Sequence, residues 1–115
     1  MQIHVSGWSH GDARAANVVK VKQDYKFVDF LFAYSFSGQN GRDCVARDVM
    51  QFIKSVLGRV QKVSSPDAKL PSRVARLIDD YSACFANQID KKGAEKCMKK
   101  IIEEVIRNPS GDQVE

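Results

Sequence analysis

At 115 residues, with 43% hydrophobic and 28% charged side chains, the chain has room for one domain around one core, and its composition is that of a folded protein rather than a disordered one. No apolar run approaches the roughly 20 residues needed to span a bilayer, and Met1-Gln2-Ile3-His4 lacks the basic start and long apolar stretch of a secretion signal, so no membrane is expected and the default location is cytoplasmic. A net charge of +4 raises nucleic acid or an acidic protein as a partner without deciding between them.

Along the chain, Gln2 to Trp8 reads as a short strand with Ile3 and Val5 on one side. Trp8, the only tryptophan, lies beside Gly7, Ser9 and Gly11, and reads first as a plug at the end of a sheet; exposed, it would anchor a partner instead. Ser9, His10 and Asp12 supply the residue types of a hydrolytic triad. They are nearly adjacent in sequence, however, whereas a proton relay needs side chains converging from separate positions, so a turn is the expectation.

Asn17 to Lys22 reads as a second strand, with Val19 and Val21 opposed to Lys20 and Lys22. Lys26 to Phe36 carries the strongest β pattern: Val28, Phe30, Phe32, Tyr34 and Phe36 alternate on one face, while Phe27, Leu31 and Ala33 make the other face apolar and Asp29 interrupts it. A helix buried nearly all round is the rival reading of that segment. As a strand it would be central in a small sheet, or an edge completed by a second copy, and a homodimer anchored on Phe30 and Phe32 would cover it.

Ser37 to Gly41 is a loop by composition and lacks the spacings of phosphate-binding glycine loops, so it is read as a plain connection. Asp43 is the expected N-cap of a helix whose stripe of Val45, Val49, Phe52, Ile53, Val56, Leu57 and Val60 runs to about residue 61. A break marked by Ser64, Ser65, Pro66 and Pro71 follows. A second helix from near Ser72 to Asn87 or Gln88 carries Val74, Leu77, Ile78, Tyr81, Cys84 and Phe85 on one face. A third carries Ala94, Cys97, Met98, Ile101, Ile102, Val105 and Ile106, and a turn at Asp90 to Gly93 is needed for both stripes to meet one core. Asn108-Pro109 ends that helix, leaving residues 1–108 as a single compact domain and 109–115 as a flexible tail.

Lys96, Lys99 and Lys100 are interleaved with Glu95, Glu103 and Glu104 at four-residue steps and read as a solvated face. The better basic patch is Arg42, Arg47, Lys54, Arg59 and Lys62 on the first long helix, which could meet phosphates or an acidic protein without base-specific chemistry. Cys44, Cys84 and Cys97 are an odd number placed on apolar faces, which favours buried reduced thiols over a disulfide framework. No cysteine–histidine spacing suggests zinc, and neither a metal nor a cofactor is expected.

The expected architecture is α+β, a small N-terminal antiparallel sheet packed with three C-terminal amphipathic helices, with an all-α bundle as the alternative. The expected function is that of a non-enzymatic protein-binding module, a small regulator or inhibitor acting by surface occlusion, with Trp8, Phe30 and Phe32 as candidate interface residues. A nucleic-acid-associated protein binding phosphates through the basic helix face is the second reading.

Overall fold

Val45, Val49, Ile53 and Leu57 recur every four residues and are all buried, so one face of the helix that carries them must pack against other elements. In the computed structural model, which describes residues 2–36 and 40–111, that helix is α2 (Gly41–Gln61). It packs on α3 (Ser72–Ala83) through Val74, Ile78 and Tyr81, and α3 packs in turn on α4 (Lys91–Arg107), whose Ala94 and Ile101 join the same core with Phe85. These three helices form the core and confirm the helical half of the expected α+β architecture.

The helix boundaries have local causes. Asn40 occupies the N-cap position of α2, so Asp43 falls inside the first turn, where its charge faces the helix dipole rather than capping it. Gly41 is required where it stands: a Cβ there would run into the carbonyl oxygen of Phe85 and the ring of Phe36. At the other end Lys62 adopts a left-handed conformation (φ 59°, ψ 42°), and the amide of Val63 bonds back to the Gly58 carbonyl at 2.9 Å, which closes α2 with a Schellman-type cap. Asp90 begins α4 by accepting a hydrogen bond from the Gly93 amide at 3.0 Å. The reversal between α3 and α4 therefore lies at residues 84–90, ahead of the Asp90 to Gly93 position read from sequence. Pro109 and Gly111 pack back on the break after α2, with Gln61 Nε2 donating to the Pro109 carbonyl at 3.3 Å and Gly111 buried; residues 112–115 lie outside the described residues.

The N-terminal half differs more from the sequence reading. Gln2 to Val5 is a single helical turn, α1, not a strand; Gly7 (φ 85°) terminates it, and the turn places His4 inside the protein. The strands are β1 (Trp8–Ser9), β2 (Val18–Val21), β3 (Asp24–Phe27) and β4 (Tyr34–Ser35), arranged as two two-stranded antiparallel pairs, β1 with β4 and β2 with β3. The predicted strand Lys26 to Phe36 thus breaks into the end of β3, a turn over residues 28–33, and β4. The break has a conformational cause: Asp29 is left-handed (φ 61°), and the Val28 amide bonds to the Asn17 carbonyl at 2.7 Å. Residues 37–39, which belong to the predicted loop, lie outside the described residues. No helix among the described residues is long and apolar enough to cross a membrane.

The apolar stripe read on α4 is wider than the core it serves. Ala94 and Ile101 are buried, but Ile102 is 49% exposed and Ile106 74% exposed, so the stripe divides into a core face and an outer edge. The predicted four-residue charge pairs of α4 do not form either; among the described residues the acidic group of α4 that is ion-paired is Glu104, with Arg107 at 2.6 Å and Arg73 at 3.9 Å.

At protein concentrations low enough to keep single chains, Ile101→Ala should cost about 2–5 kcal/mol of stability, whereas Ile102→Ala should cost less than about 1 kcal/mol. Denaturant midpoints of the two variants measure this, and equal losses would contradict the division of α4 into two faces.

Candidate interaction surface

Asp48 is one helical turn from Val45 and equally buried, although its sequence position gives it no partner within reach along α2. Its partners come from the N-terminus. Oδ2 accepts from His4 Nε2 at 2.8 Å, Ser9 Oγ at 3.0 Å and the His10 amide at 2.7 Å, and Oδ1 accepts from the Gly11 amide at 3.1 Å. Burial alone would raise the Asp48 carboxyl, but the bonds from His4, His10 and Gly11 outweigh it and hold the group below the ordinary carboxylate range. His4 is displaced downward, chiefly by its own burial and against the pull of Asp48, so the imidazole is neutral. With Nε2–H committed to Asp48, its Nδ1 accepts from the Tyr81 hydroxyl at 2.9 Å, linking β1 and α1 to α2 and α3.

The same anchor supports the aromatic turn from beneath. The amide of Asp12 donates to His10 Nδ1 at 3.1 Å, which leaves Nε2–H to donate to the Val28 carbonyl at 2.9 Å. The ring of His10 packs between Phe27 and Phe30, with centroid distances of 5.1 and 4.9 Å. Gly11 (φ 83°) lets the chain pass so close to Phe32 that a Cβ would collide with the Phe32 carbonyl. Phe27 in turn packs edge-on against Phe52 of α2 at 5.5 Å, and the Ala13 and Ala15 amides are held by Gln51 Oε1 and Ser55 Oγ of the same helix. Ser9, His10 and Asp12 accordingly do not form a relay: Ser9 points to Asp48, and both His10 nitrogens are bonded to backbone.

Above this framework the aromatic side chains face outward. Leu31 is 79% exposed, Tyr25 71% and Phe32 62%, with Phe30 and Trp8 also exposed. Trp8 is therefore not a plug, and residues 28–33 are neither a covered strand nor a buried helix. Monomeric proteins seldom leave this much apolar side chain in water without use for it. Tyr25 and Leu31, absent from the candidate interface residues selected by sequence, are the most exposed of this group; Tyr25 shares a strand-pair position with Lys20, whose ammonium lies 5.9 Å from its ring centre.

The five basic residues chosen by sequence are placed less favourably for joint action. Arg42, Arg47 and Arg59 are exposed, Lys54 is half-buried, and Lys62 is the left-handed residue closing α2. At about 100° per residue, Arg42 and Arg59 lie roughly 140° and 120° around the helix from Arg47, so these charges encircle α2 rather than forming one stripe. The expected burial of the thiols holds for Cys44, whereas Cys84 and Cys97 are half-buried; all three are free. Burial pushes the Cys84 thiol up, with Cys97 and Asp90 adding to the effect, which disfavours its nucleophilic thiolate. Among the described residues no three His, Cys, Asp or Glu side chains converge as metal ligands would.

The neutral His4 carries a pH dependence. Because its folded value lies below the ordinary 6.5, the unfolded chain takes up a proton that the folded chain resists: stability is fully present above pH 6.5 and is lost as pH falls below it. Asp48 adds a second loss that begins below its ordinary 3.8. The thermal midpoint should fall between about pH 7 and 5, and His4→Gln should flatten that profile while lowering it overall. A wild-type midpoint constant over this range would contradict the buried neutral imidazole.

Comparison with protein-family models, with curated proteins and with solved structures finds no match for this chain, so the arrangement of its own residues is what points to a function.

Proposed function

We propose that the protein is a binding module that docks a protein partner on its N-terminal aromatic surface and acts by occluding the surface it covers. The observation that carries this reading is the turn bearing Phe30, Leu31 and Phe32, which is exposed and yet fixed from beneath by His10, Gly11 and Asn17. Exposed apolar groups on a pre-organised backbone lose little conformational entropy on binding, and aromatic side chains are the usual energetic anchors of interfaces. Lys20, Lys22 and Lys26 on the neighbouring hairpin outnumber its Asp24, which favours a partner with acidic groups around an apolar pocket.

The test is capture from the native host with and without nuclease, followed by titration of the captured protein with purified wild type and with a Leu31→Asp/Phe32→Ala variant. Both side chains are exposed, so the variant should unfold within about 1 kcal/mol of the wild type. Its affinity should fall by at least about 30-fold, the scale of losing an interface anchor of about 2 kcal/mol. Unchanged affinity would remove the aromatic turn from the interface, and capture abolished by nuclease would favour the phosphate-binding reading instead.

A further inference from the structure

Alongside α4 runs a trench of about 720 Å³ whose floor includes Val5, Tyr81, Ala94, Met98 and Ile102. Its outer rim on α4 is a column of Lys91, Glu95, Lys99 and Glu103, spaced every four residues along about 18 Å of helix. Among the described residues none of these four charges is ion-paired within the chain; the acidic group of α4 that is paired is Glu104. The inner column Ala94, Met98 and Ile102 runs beside the charged one at the same spacing, and the two exposed isoleucines of α4, Ile102 and Ile106, belong to its line.

We propose that this face is a homodimer interface in which α4 of a second copy lies antiparallel in the trench, about a two-fold axis near Met98. The sequence of the face is its own complement in that orientation. Read backwards, Lys-Glu-Lys-Glu becomes Glu-Lys-Glu-Lys, so Lys91 meets Glu103 of the second copy, Glu95 meets Lys99, and both pairs recur by symmetry. The apolar column complements itself by size in nearly the same register: Ala94 faces Ile102 of the second copy and Met98 faces Met98. Extended outward, this register brings the exposed Ile106 to the start of the opposite α4, where Ile89 is also exposed. In antiparallel helix pairs each flank faces the same flank of its partner, which is the geometry these two columns require. A parallel copy in register would set Met98 against Met98 and Ile102 against Ile102 and turn the charged column toward the opposite flank of its partner, away from its complement. The inference concerns α4 alone and stands whether or not the N-terminal surface binds another protein.

Two charge variants test it. Glu95→Lys/Glu103→Lys makes the column all lysine, and Lys91→Glu/Lys99→Glu makes it all glutamate, at rim positions that leave the core untouched. Sedimentation equilibrium should give the wild type twice the 12.9 kDa chain mass, each variant alone the single-chain mass with an unchanged circular-dichroism spectrum, and their equimolar mixture twice the chain mass again. A wild type that stays monomeric at the highest soluble concentration would overturn the proposal and leave the trench to a helix of another protein or to a small apolar molecule. A dimer retained by both variants, or a mixture that stays monomeric, would overturn it equally.

Discussion

A single buried carboxylate holds the two halves of this protein together. Asp48 sits on the inner side of α2 and accepts four hydrogen bonds, all from residues between His4 and Gly11. A carboxylate taken out of water is costly unless its lone pairs are filled, and here the filling groups are two backbone amides, a hydroxyl and a neutral imidazole rather than a full counter-charge. The arrangement therefore works as a latch: removing the acceptor strands four donors at once, all within residues 4–11. The second hold is Tyr81, whose hydroxyl supplies the remaining His4 nitrogen and whose ring packs against Phe85 at 5.1 Å in the helical core.

From that latch the exposed surface follows. Fixing the backbone at His10 and Gly11 sets the ring of His10 between Phe27 and Phe30 and gives the Phe32 carbonyl a glycine to rest on, so the turn over residues 28–33 is held although its side chains are in solvent. The two-residue strands β1 and β4 and the hairpin of β2 and β3 are too small to be stable alone, since isolated hairpins are marginal in water. Their order is borrowed from α2 through Asp48, Gln51, Phe52 and Ser55. The helical core thus carries both the apolar turn and the α4 trench, and the proposed binding and self-association use different residues.

The helices were legible because their pattern is local. Four-residue recurrence of Val45, Val49, Ile53 and Leu57 needs no knowledge of what covers it, and Gly-, Pro- and Ser-rich breaks mark the ends. What was not legible depends on contacts distant in sequence. Ile3 and Val5 alternate as they would in a strand, and it is the distant Asp48 and Tyr81 that reward the helical turn that points His4 inward. Asp48 carries no local signal of its role, because its four donors lie roughly forty residues away. The alternation from Val28 to Phe36 signals a strand by side-chain type, yet the left-handed Asp29 and the bonds to His10 and Asn17 fold it into a turn. The surface residues Trp8, Phe30 and Phe32 were recognisable by type, but their exposure was not. On α4, seven apolar positions spread over about half the helix circumference, more than a single neighbouring helix covers, and the outermost, Ile102 and Ile106, are the ones left outside.

The latch is tested most directly by hydrogen exchange, read by mass spectrometry, on an Asp48→Asn variant, which preserves side-chain size while replacing an acceptor oxygen by a donor. Peptides covering residues 9–36 should lose protection, while those from α3 and α4 keep it, because the helical core does not depend on the N-terminal segment in the way that segment depends on the core. Unchanged protection across residues 9–36, or an equal loss throughout the chain, would contradict the role assigned to Asp48.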